Sequence, residues 1–533
     1  MEVNCQYIPY EQTGFFSKLF LDYLNADEKL SSFYQHPVSI DGIKGSIAAR
    51  QTFNTDRDLL VRVLTDQYAG LPLTPQQQHN LDRICSTDTF TITTAHQPNI
   101  FTGHLYFIYK ILHTIKLAAG LCEQMPAFHF VPVFYMGSED ADLEELGHIN
   151  LNGEKLEWKT AQTGAVGRML VDKELLKLID RIAGELGVQE FGKEVIAMFR
   201  EAYTIGSTIE QATFKLVNAI FAGYGLLILL PDNPSLKNAF AGVIKNELTS
   251  QYSHPLVEET ATTLGQQYKV QASGREINMF YLVDGSRERI ELNDGMYEVK
   301  HLGLVWSEEQ MLLEVEDYPE RFSPNVILRG VFQEMILPNI AFIGGGGEIA
   351  YWLELRKVFE ASHVPFPVLI VRNSFLLISK QQEEKIKKLG FSVTEFFNSG
   401  RQLLDKLVRN ESQLQLSLNG EKEQIAALYD TIKEHAVAID VTLNDHILSL
   451  QKKTAKALLE VEKKMLRAEK RKFEAQQRQI NSLKKLLFPG DSLQERVDNF
   501  APYYAAYGPA WIHTLYIHSL LLEQQFAILV MPG

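Results

Sequence analysis

Cysteine is scarce in this chain: Cys5, Cys85 and Cys122 are the only three in 533 residues, far apart and with no C-x-x-C pair. Three separated thiols cannot all pair, so they read as reduced thiols of a cytoplasmic protein, and no structural zinc is expected. Positive charge is also in deficit. Lys+Arg 52 against Asp+Glu 66 gives a net charge of −14, which argues against a broad grip on nucleic acid or anionic lipid. No run comes near the roughly eighteen apolar residues of a membrane span, and the opening MEVNCQYIPYEQTGFF lacks the basic-then-apolar pattern of a secretory leader. No nucleic-acid or membrane partner is therefore expected.

Apolar residues, in contrast, make up 45% of the chain, enough for a large core spread over about two to four structural units. Up to about residue 385, short buried runs alternate with helical patterns. TFTITTA from Thr89, FHFVPVFYM from Phe128, GLLILLP from Gly225 and FPVLIVRNS from Phe366 each stop at a polar or Gly-containing loop. This is the pattern of βα units around a parallel sheet. Segments at about 151–215 and 240–325 read as insertions; the second holds alternating stretches whose Asp-Gly pairs suit hairpin turns. From about 386 to 500 the chain becomes long charged helices. Leu443, Ile447, Leu450, Thr454, Ala457 and Val461 recur at spacings of four and three, a heptad seam that predicts a coiled coil or long helical hairpin. Such a seam, with Thr and Ala in it, calls for a partner helix in the same chain or in a second subunit. Residues 501–533 form a return segment ending in the strand-like FAILVM.

Three loops could carry chemistry, because in open parallel sheets ligands bind beyond the carboxyl ends of the strands. After the first strand come His96, Asn99, Thr102, Gly103 and His104, and then a helix with Leu105, Ile108, Leu112, Ile115 and Ala119 on one apolar face. A strand-to-helix junction of this kind suits a phosphate, and it can equally be a cap and turn. The loop GSEDADLEE offers Glu139 and Asp140, which could orient an amine or hold Mg²⁺ through water; acidic residues also favour any helix start. After the last run sit Arg372, Asn373 and Ser374. A further stretch, NIAFIGGGGEIAYW, strips the backbone of Cβ atoms at Gly344, Gly345, Gly346 and Gly347 ahead of Glu348, Tyr351 and Trp352. A flat ring or phosphate could approach there, or the run could be a flexible turn. It is neither G-x-G-x-x-G nor a P-loop.

HQPNIFTGH, SEDADLEE, REINMFYLVDGSRERI, SPNVILR, LPNIAFIGGGGEIAYWLELRKVFE and LQERVDNFAPYYAAYG, in this order along nearly the whole chain, resemble the cysteine-adding enzymes of bacillithiol biosynthesis, the BshC family. The resemblance implies an α/β fold, a Rossmann-like nucleotidyltransferase core with inserted connecting segments and an α-helical coiled coil, usually dimeric. It also implies addition of cysteine, or a cysteine donor, to glucosaminyl-malate, with ATP or another adenine nucleotide and Mg²⁺. In the wider superfamily a His-x-Gly-His grips ATP phosphates; here the matching tetrapeptide is Phe101, Thr102, Gly103, His104, without the first His. No KMSKS follows the last strand, so Arg372 or Arg329 would have to supply that charge. A nucleotidyltransferase acting on another small molecule and a non-catalytic coiled-coil scaffold are the alternatives.

Overall fold

In the computed structural model, residues 3–272, 274–412, 414 and 416–532 are described. Five strands form one parallel sheet: β1 (Thr89–His96), β2 (His129–Met136), β3 (Leu227–Leu229), β4 (Asn339–Gly344) and β5 (Val368–Val371). Their spatial order is β5-β4-β1-β2-β3. The chain thus works outward from β1 to one edge, then returns to lay β4 on the other side of β1. That reversal is the topological switch point of a doubly wound sheet, and it opens a crevice at the carboxyl ends of β1 and β4.

Four of these strands lie where the apolar runs place them. The fifth, β4, falls in the stretch read for its glycines, and it occupies an inner position of the sheet. Helices cover both faces, as continuous buried strands require. On one face, α1 (Ile40–Gln51) and α2 (Tyr106–Gln124) pack Ile43, Ile47, Leu117 and Leu121 against Phe90, Ile92, Ile343 and Ile370. On the other, Phe342 stacks on Trp352 with ring centroids 4.5 Å apart, and Phe359 and Phe366 close around the indole. Two helices frame the turn after β4: α3 (Val326–Ile336) before it and α4 (Gly346–Trp352) behind it.

The helix α2 differs from expectation in one respect. It is buried on every side rather than along one stripe, with Lys110, His113 and Thr114 as inaccessible as its leucines. The insertion at 240–325 builds two small antiparallel sheets, and both Asp-Gly pairs sit at hairpin turns: Val283 pairs with Ser286, and Asn293 with Met296. Asp294 and Gly295 both take positive φ, which an L-residue tolerates best when it is Asp or Asn.

By internal contacts, one compact unit comprises residues 1–11, 15–377 and 492–529, and a second comprises 12–14, 378–491 and 530–533. Residues 492–500, read from sequence as part of the helical segment, belong to the first unit. In the second unit, α5 (Asn419–Ile439) and α6 (Leu443–Lys470) form a helical hairpin. The Tyr429 and Thr454 hydroxyls meet at 2.8 Å and Lys422 pairs with Glu462 at 2.5 Å. The predicted seam holds through Thr454 and then shifts: Leu458 is half-buried, whereas Ala457 and Val461 are exposed. A straight helix drifts against a strict seven-residue repeat, and here the partner-facing line moves by one residue.

All three cysteines are free. Among the described residues no helix is long and apolar enough to cross a membrane.

Candidate active site

The crevice at the switch point is a cavity of about 920 Å³. Its walls come from the loops at the strand ends and from the 240–325 insertion. Of the residues nominated from sequence, His96, His104, Asp140, Arg329, Gly345, Gly346, Gly347, Glu348, Tyr351 and Arg372 line it. Asn99, Thr102, Gly103, Glu139, Gly344, Trp352, Asn373 and Ser374 do not.

Each misplacement has a physical cause. Trp352 is 1% exposed and is the aromatic centre beneath the sheet, which is what a large ring at a helix end facing a core becomes. Glu139 is turned away from the cavity onto the buried Lys237, which also pairs with Asp232 at 3.4 Å; Arg168 holds the far side of Asp232 at 2.7 Å. That network anchors the loop after β2 and leaves Asp140, with Glu145 further along, as the carboxylates that reach the crevice from GSEDADLEE. Asn373 is tied by its amide to Leu520, and Ser374 accepts from Arg372 and bonds Glu495. Asn99 and Thr102 are buried in a turn in which Phe101, Thr102 and Gly103 all have positive φ. A Cβ at Gly103 would stand 2.9 Å from that of Asn99. Three consecutive left-handed residues, one of them β-branched, cost about 1–3 kcal/mol each for the non-glycines and persist only under constraint from outside.

The glycine run divides by role. A Cβ at Gly346 would press within 2.6 Å of the Phe20 ring, and one at Gly344 within 2.9 Å of Phe342, so these two are needed for packing. Gly345 and Gly347 leave the backbone open to the cavity. The following helix starts at Gly346, within the glycine run, and Glu348 caps it by accepting from the Gly345 N–H at 2.8 Å.

Charge dominates the lining. Six arginines, Arg275, Arg287, Arg289, Arg329, Arg372 and Arg496, face three carboxylates, Asp140, Glu145 and Glu348. Burial works to raise the Asp140 pKa, but Arg329 and Arg287 together with the Gln97 amide outweigh it and hold the carboxyl below its usual range. Arg329 lies 3.7 Å from Asp140. Arg372 is largely committed: it donates to Glu495 at 2.7 Å and to the Asn373 carbonyl at 3.0 Å, and its guanidinium lies over the Tyr106 ring. Burial would lower its pKa, and Glu495 reverses that. Arg287 sits over the Phe280 ring at 3.9 Å and donates to Ser323 and the Pro324 carbonyl; among the described residues no carboxylate lies within ion-pair distance of it, although Asp140 acts on it across the cavity.

Four of these arginines escape a loop-by-loop reading of the parallel sheet, because Arg275, Arg287 and Arg289 come from the insertion and Arg496 from the end of the stretch read as helical. A signal existed in RER at 287–289, since alternate residues of a strand share one face. A fifth missed residue is Lys110. Its ammonium, 2% exposed, donates to the Ala95 carbonyl at 2.5 Å and to both oxygens of Glu348 at 2.9 and 2.7 Å, joining β1 to the glycine turn. A lone lysine within FIYKILHT had to find a carboxylate once the helix was buried all round.

Both histidines are neutral by environment. His96 is pushed well below its usual range by burial and then by Lys110, and its Nε2 meets the Tyr106 hydroxyl at 3.2 Å. His104 is lowered by burial, and His148 adds to that; its Nδ1 lies 3.0 Å from the Val497 carbonyl. Among the described residues no group of three or more His, Cys, Asp or Glu is placed to hold a metal ion.

Comparison with known proteins fixes the family. Residues 1–373 match the BshC N-terminal Rossmann-like domain of bacillithiol biosynthesis and residues 375–531 its C-terminal coiled-coil domain. The chain belongs to the BshC family. It is similar to proteins named "Putative cysteine ligase BshC" from Christiangramia forsetii, at 38% identity over 99% of both chains, and from Flavobacterium johnsoniae, at 37% over 99% of this chain and 100% of the relative. A third, from Flavobacterium psychrophilum, is 39% identical over 97% of each. As a BshC-family chain it unites the two domains that its sequence announced, and every residue lining the crevice except Arg496 falls in the Rossmann-like one.

Proposed function

We propose that this protein joins the carboxyl of cysteine to the amine of glucosaminyl-malate, forming bacillithiol, in the cytoplasm. The observation that carries the reading is the crevice at the sheet's switch point, where six arginines face three carboxylates on a chain whose net charge is −14. Such a local reversal of sign suits a multiply charged anion. A malyl group brings two carboxylates and a nucleotide brings phosphates, and planar guanidinium groups pair with both.

Amide formation requires an activated carboxyl, because hydroxide is a poor leaving group. ATP is the activator in this proposal, with cysteinyl-adenylate as the product of the first half. A core of this topology holds nucleotides at its switch point, and Gly345 and Gly347 leave room there for phosphate or ring. Any Mg²⁺ would come with the nucleotide phosphates. Asp140, rather than Glu139, orients the acceptor amine. The exposed apolar residues of the hairpin, Leu428, Leu459 and Val461, favour a homodimer formed through it.

Purified protein given cysteine, ATP and glucosaminyl-malate should release bacillithiol with AMP and pyrophosphate, and should exchange labelled pyrophosphate into ATP when cysteine is present. Release of ADP and phosphate would overturn the adenylate step; no product with any of these substrates would overturn the ligase reading. Triple replacement of Leu428, Leu459 and Val461 by lysine should yield monomers in sedimentation, and an unmodified protein that is already monomeric would remove the dimer.

A further inference from the structure

We propose that His104 is the base that removes the proton from the attacking amine, with Nε2 as the accepting atom. This rests on the ligase reading above. The first observation is the partner of its other nitrogen. A peptide carbonyl can only accept, so the Nδ1 that lies 3.0 Å from the Val497 oxygen carries the ring's proton. A neutral imidazole protonated at Nδ1 has its lone pair on Nε2. An imidazole that gripped phosphate in its neutral form would need N–H on the ligand side, and the Val497 carbonyl directs that hydrogen elsewhere.

The second observation is how firmly the ring is held in this state. The side chain of Asn499 donates to the carbonyls of Phe101 at 2.9 Å and Gly103 at 2.6 Å, and the Asp498 carbonyl accepts from the Leu105 N–H at 2.8 Å. Tyr203 donates no proton here but accepts one, from the Phe101 N–H at 2.7 Å. Residues 497–499 therefore bond both the strained turn 101–103 and the histidine that follows it. That is the outside constraint three left-handed residues require, and it sets the tautomer at the same time. The third observation is that phosphate and carboxylate charge already has partners in the cavity: Arg275, Arg287, Arg289, Arg329 and Arg496 line it beside His104. Among the described residues, the titratable groups acting on or packed beside the ring are His148 at 6.0 Å, the Tyr106 ring at 5.8 Å and His96, and none of them supplies a negative charge that would protonate it at neutral pH.

In the step itself the amine nitrogen attacks the carbonyl carbon of the mixed carboxylic-phosphoric anhydride of cysteine. The N–C bond forms, the C–O bond to the phosphoryl oxygen breaks with its electron pair leaving on the phosphate, and the amine proton passes to Nε2 of His104. A positioned base of this kind contributes about 10²–10⁴-fold.

The full-length protein tests this with two nucleophiles. Hydroxylamine, already unprotonated at neutral pH, traps activated cysteine as its hydroxamate without need of a base; glucosaminyl-malate needs one. His104→Gln should form hydroxamate within about threefold of wild type and lose amide formation by about 10²-fold or more. His104→Ala supplied with free imidazole should regain amide formation, a rescue that a merely structural ring would not show. The wild-type rate should fall only below the ordinary histidine range, because the ring's pKa is lowered. Equal loss of hydroxamate and amide in both folded variants would assign His104 to phosphate and overturn the proposal, as would absence of imidazole rescue. Wild-type protein that forms neither product breaks the ligase reading itself, a failure distinct from the other two.

Discussion

The first unit hides ion pairs that the helical hairpin of the second would leave in water. Arg50 and Glu334 meet at 2.8 Å with side chains 1% and 0% exposed, and Arg372 and Glu495 at 2.7 Å with 5% and 0%. In the hairpin, Lys463 and Glu460 also meet at 2.8 Å, but are 67% and 54% exposed. Similar geometry therefore has different consequences. A buried partner left alone keeps its full desolvation cost, whereas an exposed one is rehydrated and screened. Charge in the Rossmann-like unit fixes positions: Arg50 ties α1 to β4 through the Asn339 carbonyl, and Lys110 ties β1 to the glycine turn. In the hairpin, exposed charge such as Lys463 and Glu460 stays in water, while the apolar seam and the largely buried Lys422–Glu462 pair join the two helices.

The largest effect that bears on this contrast is Arg50→Met, which strands Glu334 without water. It should cost about 3–5 kcal/mol by denaturant unfolding; a loss under about 1 kcal/mol would erase the distinction between the two regions. Asp498→Asn comes next. Burial lifts the Asp498 carboxyl from an ordinary 3.8 to about 6, with Tyr503 donating to it at 2.8 Å. A carboxyl whose folded pKa is raised stabilises the fold while protonated, and that contribution is lost as pH climbs from the unfolded value through the folded one. The variant should therefore gain on wild type by up to about 3 kcal/mol between about pH 4 and pH 7. A gap that does not change with pH would mean the carboxyl is hydrated.

Arg287→Gln removes a cavity arginine that, among the described residues, has no carboxylate within ion-pair distance. It should raise KM for the anionic acceptor by about tenfold, near 1.4 kcal/mol, with unfolding little changed. Unchanged KM would place the acceptor on the other arginines. Smallest is Lys463→Ala, expected within about 0.5 kcal/mol of wild type; a larger loss would show that hairpin charges are structural after all.

Four sheet strands were legible because an apolar run bounded by polar loops has one inexpensive fate in an α/β chain. The strand β4 was less so, since its glycines drew the reading toward a loop, although NIAFI ahead of them is an ordinary buried run. In the site, four residues read at or beyond the strand ends, His96, His104, Asp140 and Arg372, line the crevice. Adjacent residues failed through direction alone. Glu139 and Asp140 are neighbours in sequence, yet one meets Lys237 in the interior and the other Arg329 in the cavity.

By itself the sequence determined the parallel core, the helical hairpin, the free thiols and the set of loops that gather at the strand ends, because period, composition and turn chemistry are local properties. Tertiary structure alone decided which charges are shared. It brought Arg287 and Arg496 to the crevice, gave Lys110 to Glu348, split the four glycines between packing and access, and set the His104 proton on Nδ1 through a carbonyl 393 residues away. Each of those outcomes depends on what lies within a few ångströms across the fold, and spacing along the chain carries no record of that.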